Sequence, residues 1–199
     1  TFDADPGPDS LQMTDAGGPT GLISKYQPNG ALIWVKPIYS EGYLDFGAMK
    51  VDAQGNVVVS GRFQQEVDAN PTLLNARLMQ SSSMDMFIAK YDSSGNLLWA
   101  DELNNASTVT SFSLTQIYGL DLDAAGNIYV TGIAEATFDY NPGVGTSTLT
   151  LQGTHIGFVA KYDASGNYLQ AFKLSGPSTA KCSPVGIVVD GTGNMYVAG

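Results

Sequence analysis

Along this chain, apolar residues alternate with polar ones, or run together for four to eight positions, and then break at short turns rich in Asp, Gly and Asn. Such a two-residue period, with Val, Ile, Tyr and Phe prominent, predicts half-buried and buried strands. The clearest stretch runs from Phe87 through Lys90, Tyr91, Asp92, Gly95 and Asn96 to Trp99, and it reads as strand, tight turn, strand. It recurs from Leu22 to Trp34 and from Phe158 to Gln170. A second hairpin pattern spans Val51–Gly61, Leu122–Gly132 and Val189–Gly199. A third marker is an Asp-x-Asp/Asn-Pro segment, at Phe2–Gly7, Val67–Pro71 and Phe138–Gly143. A single apolar residue, Met13, Leu78 or Leu149, stands 12 positions before each repeated lysine. Only 72–80 is a candidate for a helix, and its Pro and Ser flanks fit a loop or short strand equally.

The spacings separate rigid from variable parts of the unit. From the repeated Pro to the repeated Lys is 19 residues in all three copies, and from the repeated Gly to the next Asp is 7. From the turn glycine to the following Asp the count is 22, 28 and 24. One connection per unit therefore varies. In Asp-x-x-Gly-Asn, Asp opens a type I turn and accepts hydrogen bonds from its amides, and Gly supplies the positive φ of the bulge that rejoins the strands. The first copy replaces this with Gln27-Pro28-Asn29-Gly30, which keeps the turn and loses the carboxylate.

Each unit then holds four strands, a to d; in the middle copy they fall near 47–52, 56–63, 86–91 and 96–101. Four antiparallel strands per repeat predict an all-β fold, the β-propeller, here with three blade equivalents and twelve strands in the order c-d, a-b-c-d, a-b-c-d, a-b. The units are 1–65, 66–136 and 137–199, in one partial propeller domain. Together the three motifs resemble the SBBP-type β-propeller repeat of large bacterial surface and secreted proteins. The resemblance implies an exported bacterial protein, extracellular or at the cell surface. Leu22 and Gln170 depart from it, where the other copies have Phe and Trp. Three blade equivalents fall short of the usual ring, so the expectation is either further blades in the same chain or a second copy that completes six.

Composition narrows the partners. Charged residues are 14% of the chain and the net charge is −10, which disfavours nucleic acid and anionic membrane surfaces. No apolar run is long enough to insert in a bilayer as a helix. The one cysteine, Cys182, excludes an internal disulfide framework and a paired-cysteine metal site.

Strand order puts the a–b and c–d turns on one face, and the b–c and d–a loops on the other. The turn aspartates Asp52, Asp92, Asp123, Asp163 and Asp190 read as structural. Asp3 with Asp5, Asp68 with Asn70, and Asp139 with Asn141 are the candidate metal ligands: two side-chain oxygens two residues apart, stiffened by Pro, suit a hard cation such as Ca²⁺. The alternative is that they cap their own turn. Lys25, Lys90 and Lys161 lie among apolar neighbours in strand c, where the ammonium reaches a nearby carboxylate or carbonyl. His155 reads as an exposed loop residue. No nucleophile, phosphate loop or zinc motif stands out. The expectation is a non-catalytic binding or adhesion scaffold that contacts a protein or glycan through the b–c and d–a loops, because variable loops on a rigid frame carry binding. The alternatives are a polysaccharide lyase or hydrolase completed by missing blades, and a structural spacer.

Overall fold

The computed structural model of the chain describes residues 2–3, 12–13, 20–70, 78–105, 114–151, 153–174 and 182–199. Among these, every regular element is a strand. In chain order they are β1 (Phe2–Asp3), β2 (Gln12–Met13), β3 (Thr20–Tyr26), β4 (Leu32–Ser40), β5 (Leu44–Val51), β6 (Val57–Asp68), β7 (Leu78–Tyr91) and β8 (Leu97–Asn105). There follow β9 (Gln116–Leu122), β10 (Ile128–Ala134), β11 (Phe138–Asp139), β12 (Ile156–Tyr162), β13 (Tyr168–Leu174), β14 (Gly186–Val189) and β15 (Met195–Ala198). Strands β5-β6-β7-β8 and β9-β10-β12-β13 form two complete antiparallel blades, flanked by the half-blades β3-β4 and β14-β15. This is an all-β partial propeller. The twelve expected strands are present in the expected order, and β1, β2 and β11 are additional.

The hairpin turns follow from their sequence. Each glycine of an Asp-x-x-Gly-Asn turn donates its amide to the Asp carbonyl at 2.9–3.0 Å. Those glycines sit at φ between +80° and +88°, a region that a side chain disfavours. In all three c–d hairpins the ladder slips by one residue between the repeated Lys and Tyr, as a bulge requires.

Blades pack through layers of buried side chains. One layer, with Ile23, Ile38, Phe63, Val67 and Phe87, lies between the first half-blade and the first complete blade. A larger one, with Met86, Leu103, Ile117, Phe138, Tyr140 and Phe158, lies between the two complete blades. Both faces of strand b are covered, so β10 is buried along its whole length. The inner strands approach closely: a Cβ at Gly47 would overlap the Ile117 carbonyl of the next blade.

The b–c connections differ from expectation. They do not stay on the loop face. After Phe63 the chain turns at Gln65, the single described non-glycine residue with positive φ (+69°), and runs back antiparallel to the preceding blade. Val67 and Asp68 pair with Ser40 and Tyr39 of β4. In the next unit Phe138 and Asp139 pair with Asn105 and Asn104 of β8. Each connection is thus a strap stitched to strand d of the blade before it. The tyrosine before the c–d turn pins the strap: Tyr91 donates to the Ala69 carbonyl at 2.8 Å and Tyr162 to the Tyr140 carbonyl at 2.9 Å. Burial pushes the Tyr91 and Tyr162 hydroxyls far above the usual phenol pKa, so both stay protonated donors.

Candidate functional site

The strap relocates the expected metal ligands. Asp68 and Asp139 pair with Tyr39 and Asn104, next to the last residues of β4 and β8, so the Asp68–Asn70 and Asp139–Asn141 pairs lie where the strap enters between blades. Asp68 Oδ1 accepts the Asn70 amide at 2.9 Å. Asp139 Oδ1 accepts the amides of Asn141 at 3.0 Å and Ser147 at 2.8 Å, and Asn141 Oδ1 accepts that of Gly143 at 3.0 Å. These oxygens cap their own loops. The two pairs occupy successive interfaces, and among the described residues no three His, Cys, Asp or Glu side chains converge. Asp3 is described only as part of β1, and Asp5 lies outside the described residues.

The tight-turn face holds a cleft of about 340 Å³ between the complete blades, lined by Lys50, Asp52, Asn56, Lys90 and Asp123 among others. Its charges are paired within the fold. Lys90 Nζ meets Asp52 Oδ2 at 3.1 Å, and Lys50 Nζ meets Asp121 Oδ1 at 3.0 Å. Asp123 Oδ2 accepts Asn127 Nδ2 and the Tyr129 hydroxyl. Burial works against the Asp123 carboxylate, but bonds from Asn127, Tyr129 and Ala125 outweigh it and hold its pKa below the ordinary range. The other repeated lysines are also structural: Lys25 donates to the Ser93 carbonyl at 3.1 Å, and Lys161 lies over the Tyr129 ring, 4.7 Å from its centroid.

The loop face presents a different surface. Where the d–a connection at Glu41 meets the strap's outer bend, an open groove of about 550 Å³ is lined by Glu41, Gln65, Glu66, Gln80, Ser81 and Ser82. Gln80 Nε2 donates to Glu66 Oε2 at 2.8 Å, and the Glu41 amide donates to the Glu66 carbonyl at 2.9 Å. Two carboxylates, two amides and two hydroxyls line it, with no basic group. Nearby, Arg62 is occupied by the Thr115 carbonyl at 3.2 Å and the Tyr43 hydroxyl at 3.0 Å.

Sequence reasoning missed this groove because it looked for what recurs. Fixed spacing aligns Gln65 with Ala136 and Gln80 with Leu151. In the second complete blade Ala136 is buried, and Leu151 packs against the core between the blades. The first complete blade instead turns amides to solvent at those positions. Polar residues where the next copy is apolar were the available signal. His155 also departs from expectation: it is buried, with Nε2 3.3 Å from Ser183 Oγ and Nδ1 3.3 Å from Thr154 Oγ1.

No protein-family model matches the chain. It is similar to an uncharacterised WD repeat-containing protein of Acanthamoeba polyphaga mimivirus, 27% identical over 153 residues. The match covers 72% of this chain, which spans only 11% of that relative's length. What the two have in common is a repeat-built sequence of the kind that forms β-propellers.

Proposed function

We propose that this chain is a non-catalytic binding scaffold that holds a glycan in the loop-face groove. The observation that carries this reading is the unrepeated Gln65–Gln80 lining of a frame whose other parts recur. Amides, carboxylates and hydroxyls without a basic residue suit sugar hydroxyls and disfavour anionic partners. The left-handed backbone at Gln65 is a strained feature held where a ligand would contact it. The SBBP-type resemblance supports placing such a scaffold on an exported bacterial protein.

A glycan array probed with the 199-residue chain should yield a neutral-sugar ligand. The Gln65→Ala/Gln80→Ala variant should then bind at least about tenfold more weakly, equal to about 1.4 kcal/mol, at unchanged melting temperature. A blank array, or undiminished binding by the variant, overturns the reading. Because Glu41 and Glu66 share the groove, release of reducing ends from the bound glycan would replace it with a hydrolase reading. Weak Ca²⁺ binding by the strap loops is a separate proposal: calorimetric heat on adding Ca²⁺ and an EDTA-sensitive melting point support it, and the lack of both overturns it.

A further inference from the structure

The blade that departs from the repeat at Gln65 and Gln80 departs from it again at its loop-face end. The register sets Asp45 opposite Arg62 and, one blade on, Gln116 opposite Ile133. Tyr43, Asp45 and Arg62 are thus matched by Leu114, Gln116 and Ile133. The second complete blade pairs the same two strands without such a trio, so the fold does not require it.

What the trio does is fix an aromatic ring. Arg62 Cζ stands over the Tyr43 ring, 5.2 Å from its centroid. Arg62 Nη2 donates to the Tyr43 hydroxyl at 3.0 Å, and that hydroxyl donates to Asp45 Oδ2 at 3.2 Å. The guanidinium is anchored in turn on the Thr115 carbonyl of the next blade. The Arg62 side chain is 12% exposed, whereas Tyr43 is 43% exposed. The ring is held at its tip and along one face, and the rest of it meets solvent. All of these contacts lie within the first complete blade or reach the complete blade that follows it.

Tyr43 and the groove share one backbone bend. The Gln64 amide donates to the Tyr43 carbonyl, and the Glu41 amide to the Glu66 carbonyl, both at 2.9 Å. Gly42 stands between them, and a Cβ there would come within 2.6 Å of Gln65 Oε1. Gln65 therefore crosses over the residue that joins Glu41 of the groove to Tyr43.

We infer that Tyr43 is a stacking platform for a second sugar residue, so that the ligand is a neutral oligosaccharide of pyranose units rather than a single sugar. The inference rests on the glycan reading of the groove. A pyranose with mostly equatorial hydroxyls presents a face of C–H bonds, which carry partial positive charge and pack on the negative face of an aromatic ring. A ring already fixed in place loses little freedom when the sugar arrives. The groove then orients one unit through its hydroxyls, and the platform takes the apolar face of its neighbour. Asp45 at the ring's tip and the net charge of −10 disfavour acidic sugars.

The test is calorimetric titration with the neutral oligosaccharide best retained on the array. Tyr43→Ala should weaken its binding at least about tenfold, and Tyr43→Trp should keep it near the wild-type value. At saturating ligand, magnetisation from aromatic protons should reach the C–H protons of one sugar unit in wild type and Tyr43→Trp, but not in Tyr43→Ala. Binding that falls with Gln65→Ala/Gln80→Ala and not with Tyr43→Ala overturns this inference and leaves the groove reading standing. A Tyr43→Trp variant as weak as Tyr43→Ala also overturns it, because the tyrosine would then act only through the fold. A blank array, or binding indifferent to the glutamine pair, overturns the groove reading and this inference with it.

Discussion

Phe138→Ala should destabilise the protein by about 3–5 kcal/mol, read as a lower urea midpoint at unchanged slope. Phe138 is fully buried in the layer between the complete blades. Its ring stands 6.5 Å from Tyr140, which lies 4.9 Å from Phe158 of β12. The residue is thus a wedge that belongs to one blade by sequence and to two by contact. Truncation removes its transfer energy and leaves a cavity that two rigid sheets are poorly placed to close. It also loosens β11, whose backbone pairs with Asn105 and Asn104 of β8. Exchange of the amides that bond between β8 and β11 should therefore accelerate more than exchange in the β9–β10 hairpin. Leu98→Ala, at an exposed position of β8, serves as the control and should shift stability by no more than about 0.5 kcal/mol. A variant as stable as wild type would mean that the strap does not join the blades.

What could be read from sequence divides by the range of the interaction. Turns are local, so Asp92 to Asn96 announced both the carboxylate cap and the glycine bulge. Strand order followed, because a hairpin has one antiparallel solution. The strap did not follow. Its strand is two residues long, contains no alternation to count, and takes its partner from the preceding blade, so Phe138–Asp139 looked like a loop on the far face. The repeated Asp and Asn read equally as ligands or as caps of their own turn, and Asp68, Asp139 and Asn141 each accept a nearby backbone amide through Oδ1. His155 failed for a related reason: Ser183, whose hydroxyl meets its ring, stands 28 residues on, in the segment that leads into β14 of the next blade. The aromatic ends of the c–d hairpins illustrate the same limit. Trp34 and Trp99 donate their indole N–H groups to Ser93 and Ala164 carbonyls of the following blade's turn, at 3.1 and 3.4 Å. Nothing within one hairpin specifies that contact. The groove was legible in principle, since Gln65 against Ala136 is visible by alignment, but a search for repetition discards such differences.

Asp52→Ala should cost about 3–5 kcal/mol, several times the effect of Asp92→Ala, although both aspartates open the same kind of turn. Each caps its turn in the same way: Asp52 Oδ1 accepts amides from Gln54 at 3.0 Å and Asn56 at 2.9 Å, and Asp92 Oδ1 accepts those of Ser94 and Asn96. The difference is Lys90. Its ammonium is buried 3.1 Å from Asp52 Oδ2, and both side chains are more than nine-tenths covered. Losing the carboxylate strands a desolvated cation, whereas losing Asp92 only uncaps an exposed turn. Asp52→Asn with Lys90→Met should recover most of the loss, because a buried pair replaced as a whole leaves no orphaned charge. Burial opposes ionisation of Asp52, but hydrogen bonds from Asn56, Lys90 and Gln54 outweigh it and hold the folded pKa below that of the unfolded chain. A depressed folded pKa contributes stability that is complete above the unfolded value, about 3.9, and disappears as pH falls through the folded one. Wild-type protein should therefore lose stability more steeply than the paired variant below about pH 4. Equal costs for Asp52→Ala and Asp92→Ala would show that the turn, not the ion pair, is what the first complete blade relies on.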